Sequence, residues 1–273
     1  MPVLSGRVCL SEAQPAVHYL PRRCPLGTSV YIFGAVVAIV AGTVQACTGF
    51  GMALVAAPCL LLVLEPTLVT PTLVTLSTLN TLLVAWHGRR HVQAALVLML
   101  AAGGITGFPL GIWVLKTVDA NVLKVCVGAF VILFSSALLA GWRRPLKREG
   151  LARFPVGLAG GFMGGATSMG GPPVILFLAN QDMPKDIFRG NIASYFFVVN
   201  CFGLAMFGLS GLWTAEVTRL AGVLIPPLLI GTYCGVRVAK ALPEEQFRKV
   251  AMIAVAVMGV ILVASSLYAI LAG

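Results

Sequence analysis

Charged residues are scarce in this chain. They make up 10% of its 273 residues, where an ordinary soluble domain carries roughly 25%. The nine acidic residues, Glu12, Glu65, Asp119, Glu149, Asp182, Asp186, Glu216, Glu244 and Glu245, all fall in tails, connectors or the ends of apolar runs. No carboxylate therefore awaits a cation in the middle of such a run. Histidine is limited to His18, His87 and His91, all outside the apolar runs. No Ser–His dyad suited to an intramembrane hydrolase follows from them, even though Ser168 lies in a Gly-rich turn. The seven cysteines show no CxxC spacing and no pairing with His, so most read as small packing residues inside spans and not as a disulfide or metal framework. Phosphate-loop and haem spacings are missing too. No catalytic residue, metal or cofactor is expected.

What the chain has in abundance is apolar sequence, 59% of all residues. Runs of about twenty apolar residues, each long enough for a hydrocarbon core of about 30 Å, recur towards the C-terminus. The fold class expected is an all-α polytopic membrane protein whose first partner is the lipid bilayer. The formal charge of +10 sits in short connectors, as the positive-inside rule requires, and does not point to nucleic acid. Residues 1–28 are polar, lack the continuous apolar core of a signal peptide, and read as a disordered tail.

About eight hydrophobic segments follow. The first, 30–64, would measure about 50 Å as a single helix, too long for one crossing, and offers a break near 48–51. Next come 67–86, 92–115 and 122–142, then the polar connector 143–150. The second half repeats the plan with 154–180, 187–209, 217–238 and 247–271. GTVQACTGFG at 42–51 lies on GFMGGATSMG at 161–170 with an offset of 119, and Asn80 lies on Asn200 with an offset of 120. The chain is therefore expected to divide into two homologous membrane repeats, 29–149 and 150–273. If segments one and five are broken, re-entrant hairpins, thirteen of the nineteen Lys and Arg residues collect on one side of the membrane. Charge asymmetry then favours inverted repeats with the N-terminus outside.

Gly and Pro at the two breaks suggest chemistry. A helix broken at membrane depth presents backbone N–H groups without partners, and its dipole adds about half a positive charge at the N-terminus of the following arm. Such an end attracts anions. The candidate substrate-binding set is Gln45, Thr48, Gly49, Gly51, Thr167, Ser168, Gly170 and Gly171. To these are added Asn80 and Asn200, costly amides inside spans, and Arg189 at a span end. Glycines such as Gly160, Gly161, Gly164 and Gly165 could equally serve close helix packing. A Gly170→Leu variant is expected to lose transport while staying folded. The competing classes are a non-transporting assembly partner and an intramembrane enzyme.

GTVQACTGFGMALVAAP in the first half, GGFMGGATSMGGPPVILFLANQ in the second, and FRGN at 188–191 resemble the paired signatures of the sulfite exporter TauE/SafE family. The resemblance implies a secondary transporter of the bacterial inner membrane that moves small anions, typically sulfur-containing oxyanions or organosulfonates. Gly49, Phe50, Ser168 and Met169 depart from the commoner Gly-rich runs, so the particular anion stays open, as does assembly into a homo-oligomer.

Overall fold

The computed structural model describes residues 28–48, 51–88, 92–139, 149–181, 183–241 and 244–272. They form ten helices: α1 Thr28–Thr48, α2 Met52–Leu61, α3 Pro66–Gly88, α4 Ala94–Thr117, α5 Ala120–Leu139, α6 Glu149–Thr167, α7 Gly171–Ala179, α8 Lys185–Leu209, α9 Ala215–Ala241 and α10 Glu244–Ala272. Among the described residues there is no strand. Four stretches, Thr28–Ala46, Ala94–Thr117, Ile187–Leu209 and Ala215–Arg237, are long and apolar enough to cross a bilayer. The protein is thus an all-α polytopic membrane protein. The polar tail and the connector 143–150 lie almost wholly outside the described residues.

Both expected breaks are present, with arms of unequal length. The first long apolar segment divides into α1, 21 residues, and α2, 10 residues. The fifth divides into α6, 19 residues, and α7, 9 residues. The first arm alone reaches about 31 Å at 1.5 Å per residue, running through Gly34, Gly42, Thr43 and Gln45 before it ends at Thr48.

Helix directions follow from who touches whom. Gln93, just before α4, donates its backbone N–H to Asn191 Oδ1 near the start of α8 at 2.8 Å. At the far ends of the same helices, Lys116 Nζ donates to the Ser210 carbonyl at 2.9 Å. Hence α4 and α8 run side by side in the same sense. The α6 helix runs parallel to α4, since Gly103, Gly107 and Gly111 face Phe154, Leu158 and Phe162 in turn. Then α7 turns back, bringing Gly170 and Val174 against Gly160. The other pair behaves alike: α1 runs parallel to α9, with Gly231 facing Ile39 and Gly235 facing Thr43, and α2 returns so that Leu60 lies beside Gly34. The arms of each broken pair thus enter and leave at one end of the bundle, and the two pairs open at opposite ends.

Close approach at these contacts depends on glycine. On α6, Gly157, Gly161 and Gly165 recur every fourth residue and so share one face, which meets the glycine face of α4. A Cβ at Gly161 would lie 1.9 Å from the Gly104 carbonyl oxygen. Side chains of the opposite kind face outward: Leu133, Trp113 and Ile32 are more than three-fifths exposed, as lipid-facing residues of a membrane bundle should be. Inside, two apolar clusters form. One joins α1, α2, α5, α9 and α10 around Leu60, Val131 and Leu224, and the other joins α4, α7 and α8 around Phe108, Leu178 and Phe207.

Candidate anion site

Between the two clusters, where the broken pairs meet, lies a cavity of about 50 Å³. A single water needs roughly 10–15 Å³ on the same measure, so the space suits about four waters or one compact oxyanion. Its wall is built from both breaks, Gln45, Gly51 and Met52 to Leu54 on one side and Ser168 to Pro172 on the other. The face of α3 bearing Ser77 and Thr81 and the face of α8 bearing Tyr195 and Asn200 close it.

Local backbone explains the donors. Gly51 holds φ at 103°, a left-handed conformation open to glycine at little cost, and α2 starts at the next residue. The first bond of α2 runs from Val55 N–H to the Gly51 carbonyl at 3.1 Å. Among the described residues, the N–H groups of Met52, Ala53 and Leu54 are left as the open donors of that turn. At the second break, Ser168 takes a positive φ of 61° and ends α6. Its N–H is committed to the Gly164 carbonyl at 3.0 Å, so the donors of this break narrow to Gly170 and Gly171. Pro172 and Pro173 have no N–H to give. The α2 terminus is therefore the richer of the two.

Side chains supply the rest. Gln45 is 8% exposed and Asn80 3%, and Asn80 Nδ2 donates to Gln45 Oε1 at 2.7 Å. Asn200 Nδ2 donates to Ser77 Oγ at 3.1 Å, which leaves the Ser77 hydroxyl proton available to the cavity. Tyr195, 1% exposed, donates its hydroxyl to the Gly157 carbonyl at 3.2 Å. Among the described residues, no side chain on the cavity wall carries a formal charge. The balance of open donors over acceptors nevertheless makes it a place for negative charge.

Of the residues expected at the site, Gln45, Gly51, Ser168, Gly170, Gly171 and Asn200 come together on the wall. Asn80 stands behind Gln45 and does not reach the cavity. Thr167 is not on the wall: its hydroxyl donates to the Met163 carbonyl at 2.9 Å and accepts the Met169 N–H at 3.4 Å. Arg189 is exposed and donates from Nη2 to the Ala46 carbonyl at 3.4 Å, one turn of α8 from the wall residue Ile192. Gly49 and the side chain of Thr48 fall outside the described residues. The Gly-rich stretch divides in two: Gly161 and Gly165 pack on the α4 backbone, while Gly160, against Gly170 and Val174, and Gly164, against the Phe108 ring and Gly170, line the cavity. Gly170→Leu does not separate transport from folding, since a Cβ at Gly170 would lie 2.4 Å from the Gly160 carbonyl oxygen. Sequence reasoning missed Ser77, Thr81 and Tyr195. Only Ser77, three residues before Asn80, carried a helical-spacing signal; no such spacing marked Thr81 or Tyr195.

An apolar bundle with a donor-lined chamber between two broken helices defines a multi-pass membrane protein of the transport class. The chain belongs to the sulfite exporter TauE/SafE family, whose profile matches residues 34–262, and is accordingly a transporter of the bacterial inner membrane and not an enzyme. It is 28% identical over 214 residues to the probable sulfite/organosulfonate exporter TauE of Cupriavidus necator, a match covering 76% of this chain and 83% of the relative. No solved structure matches it.

Proposed function

We propose that the chain exports a small sulfur-containing oxyanion or organosulfonate by alternating access, with the anion held in the chamber between the two breaks. The observation that carries this reading is the set of open backbone donors, Met52 to Leu54 opposite Gly170 and Gly171, converging with Gln45 and Ser77 on one cavity. Preorganised N–H groups and a helix N-terminus replace part of an anion's hydration without placing a fixed charge in the membrane. On sequence grounds alone, Thr48 and Gly49 are added to the binding set. Arg189, near the mouth, draws anions inward.

The repeats 29–149 and 150–273 are inverted with respect to each other, and the N-terminus lies outside. Support comes from the opposite directions in which the two broken pairs open and from the charge asymmetry of the connectors. The two halves rock about the shared chamber, exposing it to one side at a time.

Purified protein screened for thermal stability against sulfite, thiosulfate, sulfonates and small carboxylates should be stabilised by the transported class, because a ligand that binds only the folded state raises apparent stability. The same anion should show saturable flux in liposomes containing this chain alone. Absence of flux for every stabilising anion would overturn the reading.

A further inference from the structure

The Gln45–Asn80 pair carries an inference that rests on the chamber being the anion site and goes beyond it. A primary amide has one face that accepts and one that donates, and nothing in its own shape decides which face points where. Asn80 Nδ2 donates to Gln45 Oε1 at 2.7 Å, which takes the accepting face of Gln45 out of the chamber. Its Nε2 group, in a side chain more than nine-tenths buried, has no acceptor among the described residues and belongs to the chamber wall.

We infer that Asn80 is a positioning residue that fixes the Gln45 amide with its two N–H donors toward the substrate, and that this orientation sets the preference for an anion. Were the Gln45 amide reversed, the carbonyl oxygen would face the substrate and repel a negative charge. The first half alone is built this way. Gly164 occupies the position equivalent to Gln45 at the offset of 119, and Asn200 bonds Ser77 on α3 and not its own broken helix. The chamber therefore has one fixed amide donor beside the richer helix terminus, and the two halves contribute unequally to one anion.

The test is uptake of radiolabelled sulfite by liposomes containing the full chain, read as KM and maximal rate. Asn80→Leu frees the amide to turn, and KM should rise about tenfold, the loss of roughly one hydrogen bond to a charged group, with the maximal rate little changed. Gln45→Leu should do the same, and the double variant should be no worse than either single one. Effects that multiply in the double variant, or an unchanged KM for Asn80→Leu, would overturn the inference.

Gln45→Glu guards against misfolding, because it keeps the shape and the acceptor that Asn80 needs while replacing Nε2 by oxygen. Saturable sulfite uptake should vanish in that variant, and its retention would equally overturn the inference. If Gly164→Ala, which narrows the chamber without touching either amide, leaves uptake intact, the chamber itself is wrong and both readings fall. If Gly164→Ala acts and the amide variants do not, only the role of Asn80 falls.

Discussion

Ser168 shows how one residue can set both backbone and site. A non-glycine residue held left-handed costs about 1–2 kcal/mol, and Ser168 is the only such residue among those described. Glycine there would remove that strain but would lose about 0.5–1 kcal/mol to its freedom in the unfolded chain. We therefore expect Ser168→Gly to be stabilised by about 1 kcal/mol or less in a thermal melt. Because its N–H already closes α6 on Gly164, any loss of sulfite flux in that variant is assigned to the missing hydroxyl. Asn191 offers the opposite case. It is fully buried, accepts from the Gln93 N–H and donates to Met183 Sδ at 3.4 Å. Asn191→Leu should cost about 0.5–1.5 kcal/mol, the loss of its hydrogen bond with the Gln93 N–H, measured as a lower unfolding temperature with KM for sulfite unchanged.

At the scale of a helix, α6 carries two glycine faces with different duties. Gly161 touches the backbone of α4, and Gly164 has only ordinary contacts of 3.4 Å or more around a would-be Cβ. Alanine gains about 1 kcal/mol of helix propensity at either position. Gly161→Ala should nonetheless unfold more easily, because a methyl 1.9 Å from a carbonyl oxygen forces the helices apart. Gly164→Ala should melt no lower than the parent and yet transport several-fold less. Comparing melts and flux of the two variants, three residues apart on one helix, separates packing from function. The same contrast shows why the Gly-rich stretch was only partly legible. The sequence reveals small residues at intervals of three and four, and both faces of α6 satisfy that spacing. Which face met α4 depended on the direction of a helix about fifty residues earlier in the chain.

For the molecule as a whole, the ends of the bundle sort the cations. Lys116, Lys124 in the first turns of α5, and Arg219 fall at one end, and Arg153, Arg189 and Arg237 towards the other, as the directions of α4, α6, α8 and α9 require. With the first end outside, a single cysteine introduced as Lys124→Cys in a cysteine-free chain should react with an impermeant maleimide on intact cells. Arg237→Cys should react only after permeabilisation. The reverse pattern would invert the proposed orientation, and labelling of both from outside would remove the inverted repeat.

The sequence by itself determined that this chain lives in a membrane, that two segments break where Gly and Pro gather, and that no acidic side chain lies at mid-membrane. These are local consequences of hydropathy and backbone freedom, which each segment expresses without its neighbours. Only the tertiary structure decided that Thr167 serves its own helix, that Asn80 stands behind Gln45, and that Ser77 and Tyr195 join the wall. Those outcomes depend on how far α3 and α8 are turned about their axes against the broken pairs. That rotation is set by glycine contacts between helices distant in sequence, and no single segment encodes it.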